Sequence, residues 1–283
     1  MNAAASHRYE LLFEKDVPVT MSDGTVLRAD VFRPDAEGEF PVVMAKGGYG
    51  KDVHFRDAFG AQWARLKDIY PGIDSDGTSG RYLRWETVDP ERWVPDGFVV
   101  VTVQSRGTGK SPGYFDPYSP AETRDYAEAI DWAGIQSWSN GKVGLSGVSY
   151  FATKQWQVAA LQPRHLAAII PWEGCCDFYR EWSRHGGIRA QFPVEWWPGQ
   201  ILPNQHGNGE MALRDSESGE NPNGAPLSSE MLEGNRPAFP DEILKHVLDD
   251  QWYRERTPDF SRVTVPILSA ANGWPRIASQ GQY

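Results

Sequence analysis

The stretch from Val143 to Ala152 constrains the fold of this chain more than any other part of it. Its first residues favour a buried strand, and Tyr150 to Leu161 favours a helix. Between them lies a turn of glycine and serine. Such a turn lifts one serine hydroxyl above the edge of a sheet and aims the next backbone N–H groups at the same point. The pattern therefore predicts a nucleophile elbow, with the hydroxyl as nucleophile and the N–H groups as oxyanion donors.

Two serines compete for this turn. Ser149 has Gly147 two positions before it, where strand and helix approach each other. Ser146 would place the β-branched Val148 inside the strained turn, so the pattern favours Ser149. The motif G-x-S-x-G is incomplete, because Phe151 occupies the position of the last glycine. The motif alone leaves an ordinary strand-turn-helix with a capping serine as an equal alternative.

Charge and composition exclude several classes of function. A net charge of -10 over 283 residues argues against nucleic acid or an anionic membrane as partner, because phosphate binding needs a positive surface. No apolar run resembles a signal peptide or a membrane span, so we expect a cytoplasmic protein. The glycine-rich loop Lys46–Lys51 lacks the spacing of a phosphate loop, and no cluster has metal-ligand spacing. We therefore predict neither a cofactor nor a metal.

The order of strands and helices predicts an α/β fold. An Asp-Gly turn at Asp23-Gly24 joins two alternating strands, which predicts an antiparallel ribbon at a sheet edge. The continuous apolar run Gly97–Val103 predicts a strand covered on both faces. A helix begins at Pro120, with Glu122 in its first turn where the helix dipole favours an acid. Strand alternating with helix predicts a mostly parallel sheet with helices on both faces.

The chain divides into three predicted parts. Residues 1–172 form the N-terminal part of the core, and 173–258 form an insertion in which the strand rhythm is lost. An insertion on the ligand side of a sheet is expected to be a cap, here with a helix over Asp241–Trp252. Residues 259–283 return to the sheet, with a strand over Val263–Ala271.

Several motifs together resemble the cocaine esterase and X-Pro dipeptidyl-peptidase-like serine hydrolases, a branch of the α/β-hydrolase fold. The matching stretches are Asp23-Gly24-Thr25, Ala29-Asp30-Val31-Phe32-Arg33-Pro34, Gly48-Tyr49-Gly50-Lys51, Ser105-Arg106-Gly107-Thr108-Gly109-Lys110-Ser111, Gln136-Ser137-Trp138-Ser139-Asn140-Gly141-Lys142-Val143-Gly144 and Gly147-Val148-Ser149-Tyr150. The resemblance is dense over residues 15–190 and thin elsewhere. It implies that Ser149 is the nucleophile, and that the Tyr49 hydroxyl and the Tyr150 N–H form the oxyanion hole.

The chain departs from the family at its far end. The fold's triad follows the order Ser, Asp or Glu, His. The family's acid follows a Gly-Trp turn, here Gly273-Trp274, but residues 275–283 contain no acid and no histidine. The resemblance therefore implies that the last strands and a C-terminal β-sandwich domain are missing from a truncated chain. His185, like His206 and His246, lies in the predicted cap, and a cap histidine as base remains an alternative.

Two functional hypotheses follow. The first is a serine hydrolase that cleaves an ester or amide, including an X-Pro dipeptidyl bond, through an acyl-enzyme with an incomplete triad. The alternative is an inactive remnant that at most binds a small ligand. Glu173 and Asp177 follow a strand and are candidates to hold a substrate amine, and Trp172 begins a tryptophan-rich stretch suited to a pocket wall. Peptidase, esterase and acylase activity remain open. An exposed last strand also predicts self-association.

Overall fold

The computed structural model describes residues 9–209 and 213–271. Its centre is a six-stranded sheet with the spatial order β1-β2-β4-β3-β5-β6. The strands are β1 (Leu11–Thr20), β2 (Val26–Pro34), β3 (Phe40–Gly47), β4 (Val99–Gln104), β5 (Ser139–Val148) and β6 (Leu166–Trp172). β3, β4, β5 and β6 are mutually parallel, whereas β2 is antiparallel to both β1 and β4. The predicted mostly parallel sheet with an antiparallel ribbon at one edge is confirmed.

Helices connect the strands and form most of the insertion. Those of the core are α1 (Phe55–Ala58), α2 (Gly60–Ile69), α3 (Pro90–Trp93), α4 (Pro120–Gly134) and α5 (Tyr150–Ala159). The insertion contains π-helical turns at Phe178–Ser183 and Trp197–Ile201, the hairpin β7 (Arg184–His185) and β8 (Ile188–Arg189), and helices α6 (Phe192–Trp196), α7 (Ser229–Gly234), α8 (Phe239–Lys245) and α9 (Gln251–Arg254). Among the described residues, no helix has the length and apolarity needed to cross a bilayer.

Different elements cover the two faces of the sheet. Apolar residues of α4 and α5 pack with one face, where Val101 of β4 is fully buried. On the other face Val100 packs against Val94 and Tyr82. All six residues of β4 are buried, which is why this strand reads as a continuous apolar run rather than an alternating one.

The helix predicted over Asp241–Trp252 is interrupted. α8 ends at Lys245, and α9 begins at Gln251. Asp250 accounts for the break, because its Oδ1 accepts the N–H of Trp252 as an N-cap and its Oδ2 lies 2.6 Å from His246 Nδ1. These contacts stabilise a turn where the apolar pattern alone indicated a continuous helix.

The strand predicted over Val263–Ala271 is present only as two parallel bridges to β6, at Ile267 and Ala270. The Leu268 N–H donates to the Ile169 carbonyl oxygen at 3.0 Å. The segment therefore lies beside β6, although it does not form a continuous ladder. Ile267 and Leu268 are 44% and 64% exposed. Self-association through this edge stays a prediction, as do the domain bounds. The predicted turn at Gly273-Trp274 and the tail after it lie outside the described residues.

Candidate active site

The elbow is formed where β5 meets α5. Ser149 has φ 57° and ψ -113°, a backbone conformation that L residues rarely adopt, and Tyr150 is the first residue of α5. A Cβ at Gly147 would lie 2.5 Å from Phe151 Cβ, so the turn closes only with glycine there. Ser146 lies inside β5, opposite Ile170 of β6. Of the two competing serines, Ser149 is the one at the turn.

Backbone strain is concentrated around this elbow. Six described residues other than glycine have positive φ, and four of them are Glu86, Tyr118, Ser149 and Glu173. The Val148 N–H donates to the Glu86 carbonyl oxygen at 3.2 Å, and the Ser149 N–H donates to the carbonyl oxygen at the end of β6 at 2.9 Å. Strained backbone of this kind costs on the order of 1–3 kcal/mol per residue and clusters at functional sites.

Ser149 lines a cavity of about 350 Å³. One wall comes from the core and the other from the insertion, whose contribution includes the aromatic rings of Trp182 and Phe192. The lining residues are Tyr118, Ser149, Thr153, Glu173, Gly174, Cys175, Glu181, Trp182, His185, Ala190, Phe192 and Ala271. A concave, largely apolar cavity with a few polar groups beside a strained serine suits a small carbonyl compound.

Tyr49 lies at the same end of the sheet as Ser149. It follows β3, which neighbours β5, and its ring centroid lies 5.5 Å from that of Tyr150 and 5.6 Å from that of Phe151. Its hydroxyl oxygen accepts the indole N–H of Trp196 at 2.8 Å. Burial first, and then the nearby Glu86 carboxyl, raise the pKa of the Tyr49 phenol. The hydroxyl therefore keeps its proton over the working range of most enzymes.

The loop that carries Tyr49 is anchored by a buried ion cluster. Lys51 Nζ lies 2.6 Å from Asp16, 2.7 Å from Asp30 and 2.7 Å from Asp52. The three carboxylates surround a point that a metal ion could occupy in another protein, but here the Lys51 ammonium group fills it. Their charges raise the pKa of Lys51 against the opposing effect of burial. The cluster anchors the loop that carries Tyr49 to β1 and β2.

A second buried ion cluster lies under the elbow. The Tyr150 hydroxyl donates to Glu122 Oε1, and Lys154 Nζ lies 3.0 Å from Glu122 Oε2. Glu122 also accepts the Ser105 hydroxyl at 2.5 Å and the Tyr118 N–H at 2.7 Å. Burial alone would raise the pKa of Glu122, but Lys154 and then Lys46 lower it to about 2. The acid predicted to interact with the helix dipole thus ties α4 to the first residue of α5.

Glu86 is a site residue that the sequence analysis missed. Its Oε2 is buried and has no hydrogen-bond partner among the described residues. Burial first, and then the neighbouring Glu173 carboxylate, raise the pKa of Glu86 well above its ordinary value, which favours the protonated carboxyl. Glu86 lies in an irregular segment without periodicity, and the only signal there is a lone acid after an aromatic run.

His185 is the described histidine that lines the Ser149 cavity. Its Nε2 lies 2.8 Å from the Glu181 carbonyl oxygen, which can only accept, so the neutral ring carries its proton on Nε2 and its lone pair on Nδ1. His165 contacts Gly141 near the start of β5, at the opposite end of the sheet. His246 is held by Asp250 within the insertion. The ring of His185 is thus oriented by a backbone carbonyl rather than by a carboxylate.

One known protein family matches most of this chain. The family model described as X-Pro dipeptidyl-peptidase (S15 family) matches residues 23–280. This chain belongs to the S15 family. The predicted resemblance to the cocaine esterase and X-Pro dipeptidyl-peptidase-like family is confirmed.

Individual S15 relatives support both fold and family. The cocaine esterase of Rhodococcus sp. (strain MB1 Bresler) is 32% identical over 188 residues, 66% of this chain and 28% of that protein. A putative Xaa-Pro dipeptidyl-peptidase of Bacillus anthracis is 31% identical over 178 residues, 56% of this chain and 28% of that protein. A crystal structure of a CocE/NonD family hydrolase from Staphylococcus aureus has a TM-score of 0.71 and 35% identity, covering 90% of this chain and 40% of that one. This chain thus spans less than a third of the curated relatives it matches.

Of the three substrate-binding candidates of this S15 chain, one lines the cavity and two lie outside its lining. Glu173 lines the cavity with Ser149. Asp177 does not line it, and instead caps the turn that follows, accepting the N–H groups of Tyr179 and Arg180 and pairing with the Arg180 guanidinium at 2.7 Å. Trp172 is 49% exposed at the end of β6 and also lies outside the cavity lining. These substrate-binding assignments stay predictions.

Proposed function

We propose that this S15 chain is a serine hydrolase whose nucleophile is Ser149 and whose oxyanion hole consists of the Tyr49 hydroxyl and the Tyr150 N–H. The strained elbow at the wall of a cavity carries the proposal, because a serine held at positive φ beside a pocket is hard to explain by packing. The N–H of Tyr150 supports it, since the first N–H groups of a helix have no partner within the helix.

The proposed reaction has two steps. Ser149 Oγ attacks the substrate carbonyl carbon and loses its proton to a base, and the ester C–O or amide C–N bond then breaks as the leaving group takes up a proton. Water attacks the acyl-serine in the second step, which releases the carboxylic acid and restores the hydroxyl. The developing oxyanion of each step accepts hydrogen bonds from Tyr49 and Tyr150.

We further propose that acylation by the chain is slow. An efficient serine hydrolase orients its histidine with a carboxylate, and losing one triad member costs several orders of magnitude in rate. His185, the described histidine at the cavity, is exposed and oriented only by a backbone carbonyl. We therefore propose that Ser149 and the oxyanion donors are in place, but that the base that removes the Ser149 proton is weak.

A fluorophosphonate probe tests this function. We expect weak labelling over hours, with the adduct on the peptide that contains Ser149 when the protein is digested and its fragments are weighed. Ser149→Ala should abolish the adduct, whereas the matched control Ser146→Ala should keep it, because Ser146 lies within β5. Labelling that survives in Ser149→Ala would contradict the proposal, and a complete lack of labelling would favour an inactive ligand-binding protein.

We also propose that the cavity favours substrates with a free amine near the scissile bond. Glu173 lines the cavity, and burial first and then the Glu173 charge raise the pKa of Glu86 beside the elbow. The raised pKa favours the protonated form of Glu86, and Glu173 is the carboxylate that an ammonium group would pair with. Such substrates include aminoacyl esters and dipeptidyl compounds. Their free amine distinguishes them from simple acyl esters.

A substrate pair tests the amine preference. Glu173→Gln should raise KM about tenfold for an ester with a free α-amine, since a charge-assisted hydrogen bond contributes about 1.5–3 kcal/mol. It should leave KM for the N-acylated analogue unchanged. Asp177→Asn is the matched control, and we expect it to alter neither value because Asp177 lies outside the cavity lining. Equal changes for both substrates in Glu173→Gln would count against an amine site.

A further inference from the structure

In its hydrogen bond with Trp196, the Tyr49 hydroxyl can only be the acceptor. An indole N–H can only donate, so in the 2.8 Å contact Trp196 Nε1 is the donor and Tyr49 Oη the acceptor. A phenol has one proton and two lone pairs. The contact therefore uses one lone pair of Tyr49 and none of its donor capacity. Among the described residues, Trp196 is the one hydrogen-bond partner of this hydroxyl.

Trp196 is held rigidly enough to orient its partner. It ends α6 in the insertion and is 1% exposed. Its ring centroid lies 5.5 Å from that of Trp182, 5.8 Å from that of Tyr150 and 5.9 Å from that of Tyr118. A ring packed among aromatic neighbours in this way is restricted in its motion, because close-packed interiors contain few voids. The Trp196 N–H therefore donates to the Tyr49 oxygen from a fixed position in the insertion.

We infer that Trp196 is a positioning residue of the oxyanion hole, and this inference rests on the proposed function. By occupying a lone pair of Tyr49 from the insertion side, the indole N–H turns the phenolic hydrogen toward Tyr150 and the oxygen that becomes negative beside Ser149. A hydrogen bond received by the phenol also polarises its O–H and makes it a stronger donor. Trp196, a residue of the insertion, thus contributes to transition-state stabilisation through Tyr49 and does not itself contact the substrate.

Without the hydrogen bond from Trp196, the Tyr49 hydroxyl could point its proton in other directions. A phenol that can also turn its proton elsewhere must lose that freedom in the transition state, whereas a preorganised donor pays no such reorganisation cost. Removing Trp196 Nε1–H should therefore reduce the rate of attack at a bound carbonyl or phosphoryl group and leave binding unchanged. The contact also gives the buried indole N–H of Trp196 an acceptor on the core loop that carries Tyr49.

A double-mutant cycle on single-turnover labelling of Ser149 tests the inference. Trp196→Phe keeps an aromatic ring and deletes the N–H, and we expect kinact for a fluorophosphonate to fall about fivefold with KI unchanged. In a Tyr49→Phe background the same substitution should change kinact less than twofold, because no hydroxyl remains to be oriented. Trp197→Phe is the matched control. It shortens a neighbouring buried tryptophan that stacks on Phe239, and should leave both constants unchanged.

The outcomes separate the inference from the function it rests on. If wild-type protein labels at Ser149 but Trp196→Phe reacts at the wild-type rate, the positioning role is wrong and the hydrolase proposal stands. A fivefold loss that persists in the Tyr49→Phe background would indicate general damage to packing, and also overturns the positioning role. If the wild type does not label, the oxyanion hole has no function and the inference falls with it. Thermal unfolding of each variant verifies that it is folded.

Discussion

Replacement of Glu122 by glutamine is expected to lower the free energy of unfolding by about 3–5 kcal/mol, the usual cost of removing one partner of a buried ion pair. The substitution keeps the shape of the side chain and deletes its charge. Lys154 and Lys46, both 0% exposed, then lose the carboxylate that compensates their charges. Urea denaturation followed by circular dichroism measures the change.

Two further variants make this result specific. Glu233→Gln removes a carboxylate from an exposed position in α7 and should change stability by less than about 0.5 kcal/mol. Glu122→Gln combined with Lys154→Met removes both charges of the pair and should recover part of the loss, because a buried pair replaced by apolar groups is often neutral. If Glu122→Gln stays within 1 kcal/mol of wild type, the carboxylate is not the anchor of this cluster.

The same cluster gives a pH dependence with a definite sign. The pKa of Glu122 is lowered in the folded protein from 4.5 to about 2, so its contribution to stability is complete above about pH 4.5 and is lost as pH falls toward 2. Burial lowers the pKa of Lys154 to about 8, against the attraction of Glu122. The unfolded chain therefore binds more protons between pH 8 and 10.5, and this group makes stability rise with pH in that window. Wild type should lose more stability than Glu122→Gln on acidification.

The elbow was predictable because its signals are local. A buried strand, a glycine that permits close approach and a helix start all lie within ten residues, and each favours the same structure. The parallel order of β3, β4 and β5 followed for the same reason, since each strand carries its own apolar run. Ser149 could be preferred to Ser146 because Gly147 precedes Ser149 by two positions, whereas Ser146 would place the β-branched Val148 in the turn.

The remaining site features depend on contacts between distant parts of the chain. Trp196 and Tyr49 are 147 positions apart, and no period or motif links them. Glu122 shows why local reasoning is incomplete: an acid in the first turn of a helix is sufficiently explained by the dipole, so nothing in the sequence indicates the buried lysines around it. Glu86 has a positive φ and its carbonyl oxygen accepts the N–H of Val148, a contact between distant parts of the chain that no local pattern indicates.

Replacement of Tyr49 by phenylalanine is expected to slow acylation of Ser149 about 10²–10³-fold, the effect usually seen when one oxyanion donor is removed. The ring keeps its contacts with Tyr150 and Phe151, so the loss comes from the hydroxyl. The rate of fluorophosphonate labelling, or of ester hydrolysis where turnover is measurable, reports it. Tyr114→Phe removes the hydroxyl of a tyrosine that is 49% exposed, and should leave the rate unchanged.

A stability measurement on the same variant separates the role of the hydroxyl in catalysis from its role in folding. Tyr49→Phe leaves the buried Trp196 N–H without its acceptor, which should cost about 1–3 kcal/mol of unfolding free energy. Adding Trp196→Phe removes the orphaned donor and should restore part of that stability, but acylation should stay slow, because the oxyanion still lacks the Tyr49 proton. A double variant that regains both stability and acylation rate would mean that the hydroxyl supports the fold and is not an oxyanion donor.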